Sequence, residues 1–225
     1  MDPDKQLSLG SSMTRGRKLF VHPLSGNSRR TLLVVEHLEL PVERVVVDLP
    51  KGEQRAEAHL QRNPNGRVPV LEDGDLTLWE SRAIMQYLCE VTPGQTLYPT
   101  EARARADVNR WLFWCAQHMA PANTILVQER FVKPMTGRGA PDPVEEARGE
   151  ALVTQYASLL DAHLEGKTWV APDRVTLADY SLAAGFALAG PARLPLADYK
   201  HLRSWLGRVQ ELPAWQRTQP QLPPR

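Results

Sequence analysis

The chain has 225 residues, of which 42% are apolar and 24% charged, and its formal net charge is +1. That length allows two modest domains with ample core, and the charge balance gives no electrostatic reason to expect nucleic acid or an anionic membrane surface as partner. No apolar run approaches the roughly 20 residues that span a bilayer, and the two cysteines, Cys89 and Cys115, lack metal-ligand or CxxC spacing. Such cysteines read as buried small thiols in a reducing compartment, hence a cytoplasmic protein without a metal.

In chain order, residues 1–17 (MDPDKQLSLGSSMTRGR) lack the apolar core of a secretion signal and read as a disordered extension. Lys18 to His22 is a β-prone run ended by Pro23. Ser25-Gly26-Asn27 then leads into a helix from Ser28 to Leu38, with Leu32, Leu33, Val34, Val35 and Leu38. Leu40-Pro41 stops it, because a residue before proline avoids the α region. Val45-Val46-Val47 is the kind of run expected in a strand covered on both faces. Lys51-Gly52-Glu53 turns the chain, and a short helix around Ala56 to Gln61 leads into Asn63-Pro64-Asn65-Gly66.

Three devices follow. Arg67-Val68-Pro69-Val70-Leu71 is a strand interrupted by a proline, which cannot donate to a ladder and so belongs at an edge or a bend. Asp73-Gly74 suits a tight hairpin turn. Glu80-Ser81 opens an amphipathic helix with Ala83, Ile84, Tyr87 and Leu88 on one side. A serine at such a start caps the first turn, and free N–H groups there attract a carboxylate. An unpaired strand edge beside an anion-binding helix start suits a small peptide-like acid. The order is β-α-β-α-β-β-α, with right-handed crossovers making the first two strands parallel and the hairpin completing a mixed sheet.

After Cys89 the strand signals cease. Residues 91–100 form a turn-rich linker. The helix from Glu101 carries Val108, Trp111, Leu112, Cys115 and Met119 at helical spacing, and Pro121 should kink it before Ile125, Leu126 and Phe131. Lys133 to Pro141 reads as a mobile loop. Asp142-Pro143 starts a helix that ends at Gly166. Thr176 and Asp179 form a short-armed capping box, and further helices follow Pro195 and Pro213. The expected architecture is an α/β domain over 18–90, with a mixed four-stranded sheet, followed by an all-α domain over 101–225.

Six motifs carry a resemblance: His22-Pro23-x-Ser25, Asp48-Leu49-x-Lys51-Gly52-Glu53, Asn63-Pro64-x-Gly66-x-Val68-Pro69, Glu72-Asp73-Gly74-Asp75-Leu76, Glu80-Ser81-Arg82-Ala83-Ile84 and Thr176-Leu177-Ala178-Asp179. In this order they resemble the glutathione S-transferase family, and within it the phi class and its bacterial relatives, from about Lys18 to about Glu211. The resemblance implies a thioredoxin-like first domain with Pro69 in the cis form. It places the cysteinyl backbone of glutathione on Val68 as an added strand and the γ-glutamyl carboxylate on Ser81. The α-amino group faces Glu80, and the glycyl carboxylate meets Gln54 and Arg55, with Arg67 a further contact. By the bland reading Ser25 and Ser81 are helix caps, Glu80 is a first-turn acid, and Arg55 and Arg67 are solvated charges.

The resemblance also makes Ser25 the catalytic residue. A free thiol has a pKa of about 8.5. A hydroxyl donating to the thiolate, near a helix N-terminus, lowers it. Where phi enzymes usually carry threonine or another side chain after the serine, this chain has Gly26-Asn27-Ser28, so Asn27 is a second candidate for contact with the sulfur. The loop has no cysteine, which argues against the cysteine-dependent transferases of this fold. Trp114 and His118 lie off the core stripe, where such enzymes bind the acceptor. Arg82 is a surface residue or an interdomain or dimer contact. The implied protein is a homodimer that conjugates glutathione to a hydrophobic electrophile. A glutathione-dependent disulfide or peroxide reductase and a non-catalytic module of the same fold are the competing readings.

Overall fold

The computed structural model describes residues 16–171 and 173–219. The extension expected over 1–17 lies outside the described residues except for its last two, and so does the tail beyond Gln219. Arg17 belongs to the first strand rather than to an extension. It pairs with Val42, and its Nε donates to Asp73 Oδ2 at 2.7 Å.

The first domain runs β1 (Arg17–Val21), α1 (Gly26–His37), β2 (Val42–Val46), a 3-10 turn Glu53–Arg55, α2 (Glu57–Arg62), β3 (Val70–Asp73), β4 (Leu76–Trp79) and α3 (Ser81–Glu90). The strands lie in the order β2-β1-β3-β4, with β1 and β2 parallel and the other pairs antiparallel. Side chains alternate across a strand, so Leu19, Val21 and Leu71 point into the main core with α1 and α3, while Phe20, Val68 and Val70 form a second cluster with Val47. Arg62 of α2 lies over the Phe20 ring at 4.5 Å.

One expectation is corrected here. The valine run is not covered on both faces: β2 is an edge strand, and Val46 is 60% exposed. Of the two places expected for Pro69, an edge or a bend, the structure has the bend: Pro69 directly precedes β3, which lies between β1 and β4. The unpaired segment is its N-terminal overhang. The Val68–Pro69 peptide bond is cis, and neither backbone group of Val68 has a hydrogen-bond partner among the described residues.

The second domain is helical: α4 (Ala102–Trp114), α5 (Ala120–Val127), α6 (Lys133–Thr136), α7 (Pro143–Leu164), α8 (Leu177–Ala183), α9 (Lys200–Glu211) and α10 (Pro213–Arg217). Two π-helical turns, Cys115–Met119 and Gln128–Val132, join α4, α5 and α6. The break expected at Pro121 is the first of these turns: a proline has no N–H for the α ladder, and the wider turn comes just before it. The loop expected over 133–141 begins as the helical turn α6, held by Thr136 Oγ1 donating to the Val132 carbonyl at 2.7 Å.

Asp179 is fully buried and accepts from the backbone N–H groups of Thr176 and Val170, from Thr176 Oγ1 and from Trp205 Nε1. This is the capping box read from the sequence, extended to tie α8 to α9. One apolar core runs through both domains, from β1, α1 and α3 to α4, α7, α8 and α9.

Candidate functional site

The site is built at the end of β1. The His22 N–H donates to Ser28 Oγ at 3.1 Å, the Leu24 N–H to His22 Nδ1 at 3.3 Å, and the Ser25 N–H to the His22 carbonyl at 3.0 Å. Burial holds the His22 imidazole below its ordinary pKa, with Asp48 opposing it. Ser25 is the N-cap of α1, and its Oγ accepts from the Ser28 N–H at 3.2 Å. An acceptor lone pair is thereby occupied while the hydroxyl proton stays free to donate. Gly26 is required by proximity: a Cβ there would lie 3.1 Å from the Ala184 carbonyl oxygen of the second domain.

Ser25 lines a cleft of about 390 Å³ between the domains. Its first-domain wall contains His22, Leu24, Asn27, Arg30, Leu49, Pro50 and Gln54, and the opposite wall Asn123, Val127, Phe131, Met135 and Leu188. Among the described residues, no aspartate or glutamate lines it. Met135, Thr136 and Arg138 belong to the wall, so the segment after α5 is part of the site.

Behind Ser25, two consecutive arginines of α1 are buried. Arg29 stacks on Trp215 at 3.7 Å and donates to its carbonyl. Arg30 donates to the Ser181 carbonyl at 2.8 Å and to Asn27 Oδ1. Desolvation lowers both to about 10, which leaves them charged at neutral pH. Cys115 is buried beside Arg30 and Arg82, the latter donating to its Sγ at 3.0 Å. Burial raises the Cys115 thiol, but the charges of Arg30 and Arg82, with hydrogen bonds to Arg82 and Ser181, outweigh it and hold the thiol below its ordinary value. Arg82 also donates to Ser181 Oγ at 3.0 Å, which makes it an interdomain contact.

The second helix start is of another kind. The N-cap of α3 is Glu80, at φ 73°, with no side-chain cap, and Ser81 is the first helical residue. The sequence expectation that Ser81 caps the helix is therefore corrected: its hydroxyl makes no hydrogen bond with the described residues and is not used up by the helix. A non-glycine residue at positive φ is a strained conformation of the kind concentrated at ligand sites. No acidic side chain occupies the first turn of α3, so its N–H groups remain open to an anion.

Of the residues singled out from the sequence, Ser25, Asn27 and Gln54 line the cleft, and Val68, Pro69, Glu80, Ser81, Arg55 and Arg67 lie outside its walls. Gly66 packs near the Gln54 carbonyl, which sets the segment before Val68 against the turn that carries Gln54 and Arg55. Arg55 and Arg67 are exposed, and the Arg67 carbonyl accepts from His59 Nε2 and Asn63 Nδ2.

Trp114 and His118 do not line the cleft. They pack against Tyr156 of α7, Trp114 edge-on at 5.9 Å between ring centroids and His118 tilted at 5.2 Å, because α7 covers that face of α4 and of the turn after it. The second-domain wall of the cleft includes Asn123, Val127, Phe131 and Met135, at four-residue steps, a periodicity present in the sequence but passed over there. The Arg29-Arg30 pair inside an apolar helix was the other signal missed. No group of three His, Cys, Asp or Glu is placed to hold a metal among the described residues, and no helix among them is long and apolar enough to cross a membrane.

A thioredoxin-like sheet with a cis-proline overhang, joined to a helical domain across a shared cleft, defines a two-domain class of protein. Two family descriptions match, "Glutathione S-transferase, N-terminal domain" over residues 16–90 and "Glutathione S-transferase, C-terminal domain" over residues 115–213. The chain belongs to the glutathione S-transferase family. It is 34% identical over 211 residues to glutathione S-transferase 3 of Zea mays, covering 92% of this chain and 94% of the maize one. It is 32% identical over 202 residues to the probable glutathione S-transferase GSTF2 of Oryza sativa subsp. japonica, covering 89% and 94%. A solved structure of glutathione S-transferase-I bound with lactoylglutathione superposes with a TM-score of 0.80 at 26% identity, covering 90% of this chain and 98% of that one.

Proposed function

We propose that this protein is a glutathione transferase in which the Ser25 hydroxyl stabilises the glutathione thiolate for attack on an apolar electrophile. The observation that carries this reading is the Ser25 hydroxyl itself. It stands on the cleft wall at the N-terminus of α1, with Ser28 N–H filling an acceptor position and the proton free. A donor and a helix N-terminus together favour the anionic form of a bound sulfur. No general base is needed for this, since the serine stabilises the nucleophile rather than becoming one.

The remaining contacts follow from groups left open. The unpaired backbone of Val68 takes the cysteinyl unit as an added strand. The α3 start and Ser81 take the γ-glutamyl carboxylate, Glu80 its α-amino group, and Gln54, Arg55 and Arg67 the glycyl carboxylate. The apolar electrophile lies against Val127, Phe131 and Leu188.

Phe113, 67% exposed on α4, and Trp79, 39% exposed, support a homodimer, which light scattering tests. Two free thiols support a reducing, cytoplasmic setting, and a role in detoxification accords with this activity.

Glutathione is expected to raise the Tm, and Ser25→Ala to move the pKa of the bound thiol back toward its free value. No thermal shift, together with an unmoved thiol pKa, sinks the proposal. Exposure of Asn27 two residues from Ser25 also suits a glutathione-dependent disulfide or peroxide reductase. A chloro-nitro-aromatic acceptor against a mixed disulfide separates the two activities. Absence of turnover with either leaves a binding module.

A further inference from the structure

Arg30 is 2% exposed yet reaches the cleft wall, and no carboxylate pairs with it among the described residues. Its guanidinium is spread over three acceptors from three parts of the fold. Nε donates to the Ser181 carbonyl at 2.8 Å, Nη2 faces Cys115 Sγ at 4.0 Å, and Nη1 donates to Asn27 Oδ1. Arginine has only donors. The Asn27 atom that faces it must therefore be the carbonyl oxygen, and the usual ambiguity of an amide's orientation is removed. The Asn27 N–H2 is left without a partner among the described residues, on an exposed side chain at the cleft wall. Ser25 is prepared in the same way, with the Ser28 N–H on its oxygen.

We infer that Arg30 is a positioning residue for the thiolate: it locks the Asn27 amide with its N–H2 toward the cleft, and its buried, carboxylate-free charge adds to the positive potential there. Without the lock, Asn27 is free to present its oxygen, which repels an anion. The inference rests on the proposed binding of glutathione sulfur at the start of α1. It makes Ser25 and Asn27 a pair of donors rather than alternatives. Lysine cannot replace the arginine, because a point charge does not hold three acceptors in a plane.

The test is the pKa of the bound glutathione thiol, read from ultraviolet thiolate absorbance across pH, in the wild type, Arg30→Lys, Asn27→Ala and the double variant. Arg30→Lys and Asn27→Ala are each expected to raise it by about one unit, a tenfold loss of thiolate well below the new value, and the double variant no further than either single one. An Arg30→Lys enzyme that folds and keeps the wild-type thiol pKa overturns the inference, whatever happens to its Tm or kcat. Should that variant not fold, the unsubstituted protein supplies a second readout. The Asn27 side-chain N–H2 resonance is expected to shift with glutathione and much less with S-methylglutathione, and equal shifts overturn the inference. An unshifted thiol in the wild type itself sinks the proposed function instead, and movement in Ser25→Ala alone sinks only the role of Arg30.

Discussion

The two helix starts of the first domain are opposites. At α1 the N-cap serine is hydrogen-bonded within its own turn, the backbone is ordinary, and two buried arginines brace the helix against the second domain. At α3 the N-cap glutamate sits at φ 73°, no side chain caps the turn, and the first serine is unengaged. A closed start is suited to holding a donor in one place, as activation of a sulfur requires. An open start is suited to receiving a charged ligand that completes the helix end itself. On the proposed function, activation and binding would thus use the same backbone feature in two states of completion.

A third start, at α8, is closed most fully, and breaking it has the largest expected effect. Asp179→Ala strands donors of Val170, Thr176 and Trp205 in the core and is expected to cost about 3–5 kcal/mol. That corresponds to a fall in Tm of about 10 °C by calorimetry; a loss under about 1 kcal/mol contradicts the role given to the network. The same group carries a pH dependence. Burial pushes Asp179 up to about 6, above the unfolded value near 4, so the native chain holds this proton more tightly than the unfolded one. Its contribution is therefore greatest below about pH 4 and declines as pH rises to about 6. Comparison of Tm against Asp179→Asn across that window checks the sign.

Next in size, Ser25→Ala is expected to lower kcat/KM about 10²-fold and, as the loss of a cap, to cost about 1 kcal/mol of stability. Ser81→Ala sharpens the contrast. It should raise the glutathione KM about tenfold at nearly constant kcat and leave Tm unchanged, because the hydroxyl caps nothing. Equal losses of stability in the two serine variants would erase the distinction between the starts. The smallest effect is expected for Glu80→Gly: relief at φ 73° should stabilise the free protein by about 0.5–1 kcal/mol, while glutathione affinity falls, both visible in one thermal titration with ligand.

The element order, the capping box and the helix boundaries at Asp142 and Gly166 were legible in the sequence because each depends on neighbours within one or two turns. Sheet order was harder. Val45-Val46-Val47 has the composition of a central strand, yet which edge stays open depends on where the hairpin pairs. The cleft's far wall was legible only in part. Trp114 and His118 were read as lying off the core stripe, but Trp114 packs against the main core, and α7 covers the helix face that the two residues occupy. The cluster of Arg30, Arg82, Cys115 and Ser181 draws on four distant segments. No local pattern announces it, beyond two charges at the head of an apolar helix.

Those two charges also bear on how the chain unfolds. Arg29 and Arg30 leave the first domain and find their acceptors on Trp215 and Ser181, while the apolar interior continues across the junction without a break. Separating the domains would strand two cations and open one hydrophobic interior from both sides. The thioredoxin-like half is therefore expected to unfold together with the helical half rather than alone, in one calorimetric transition.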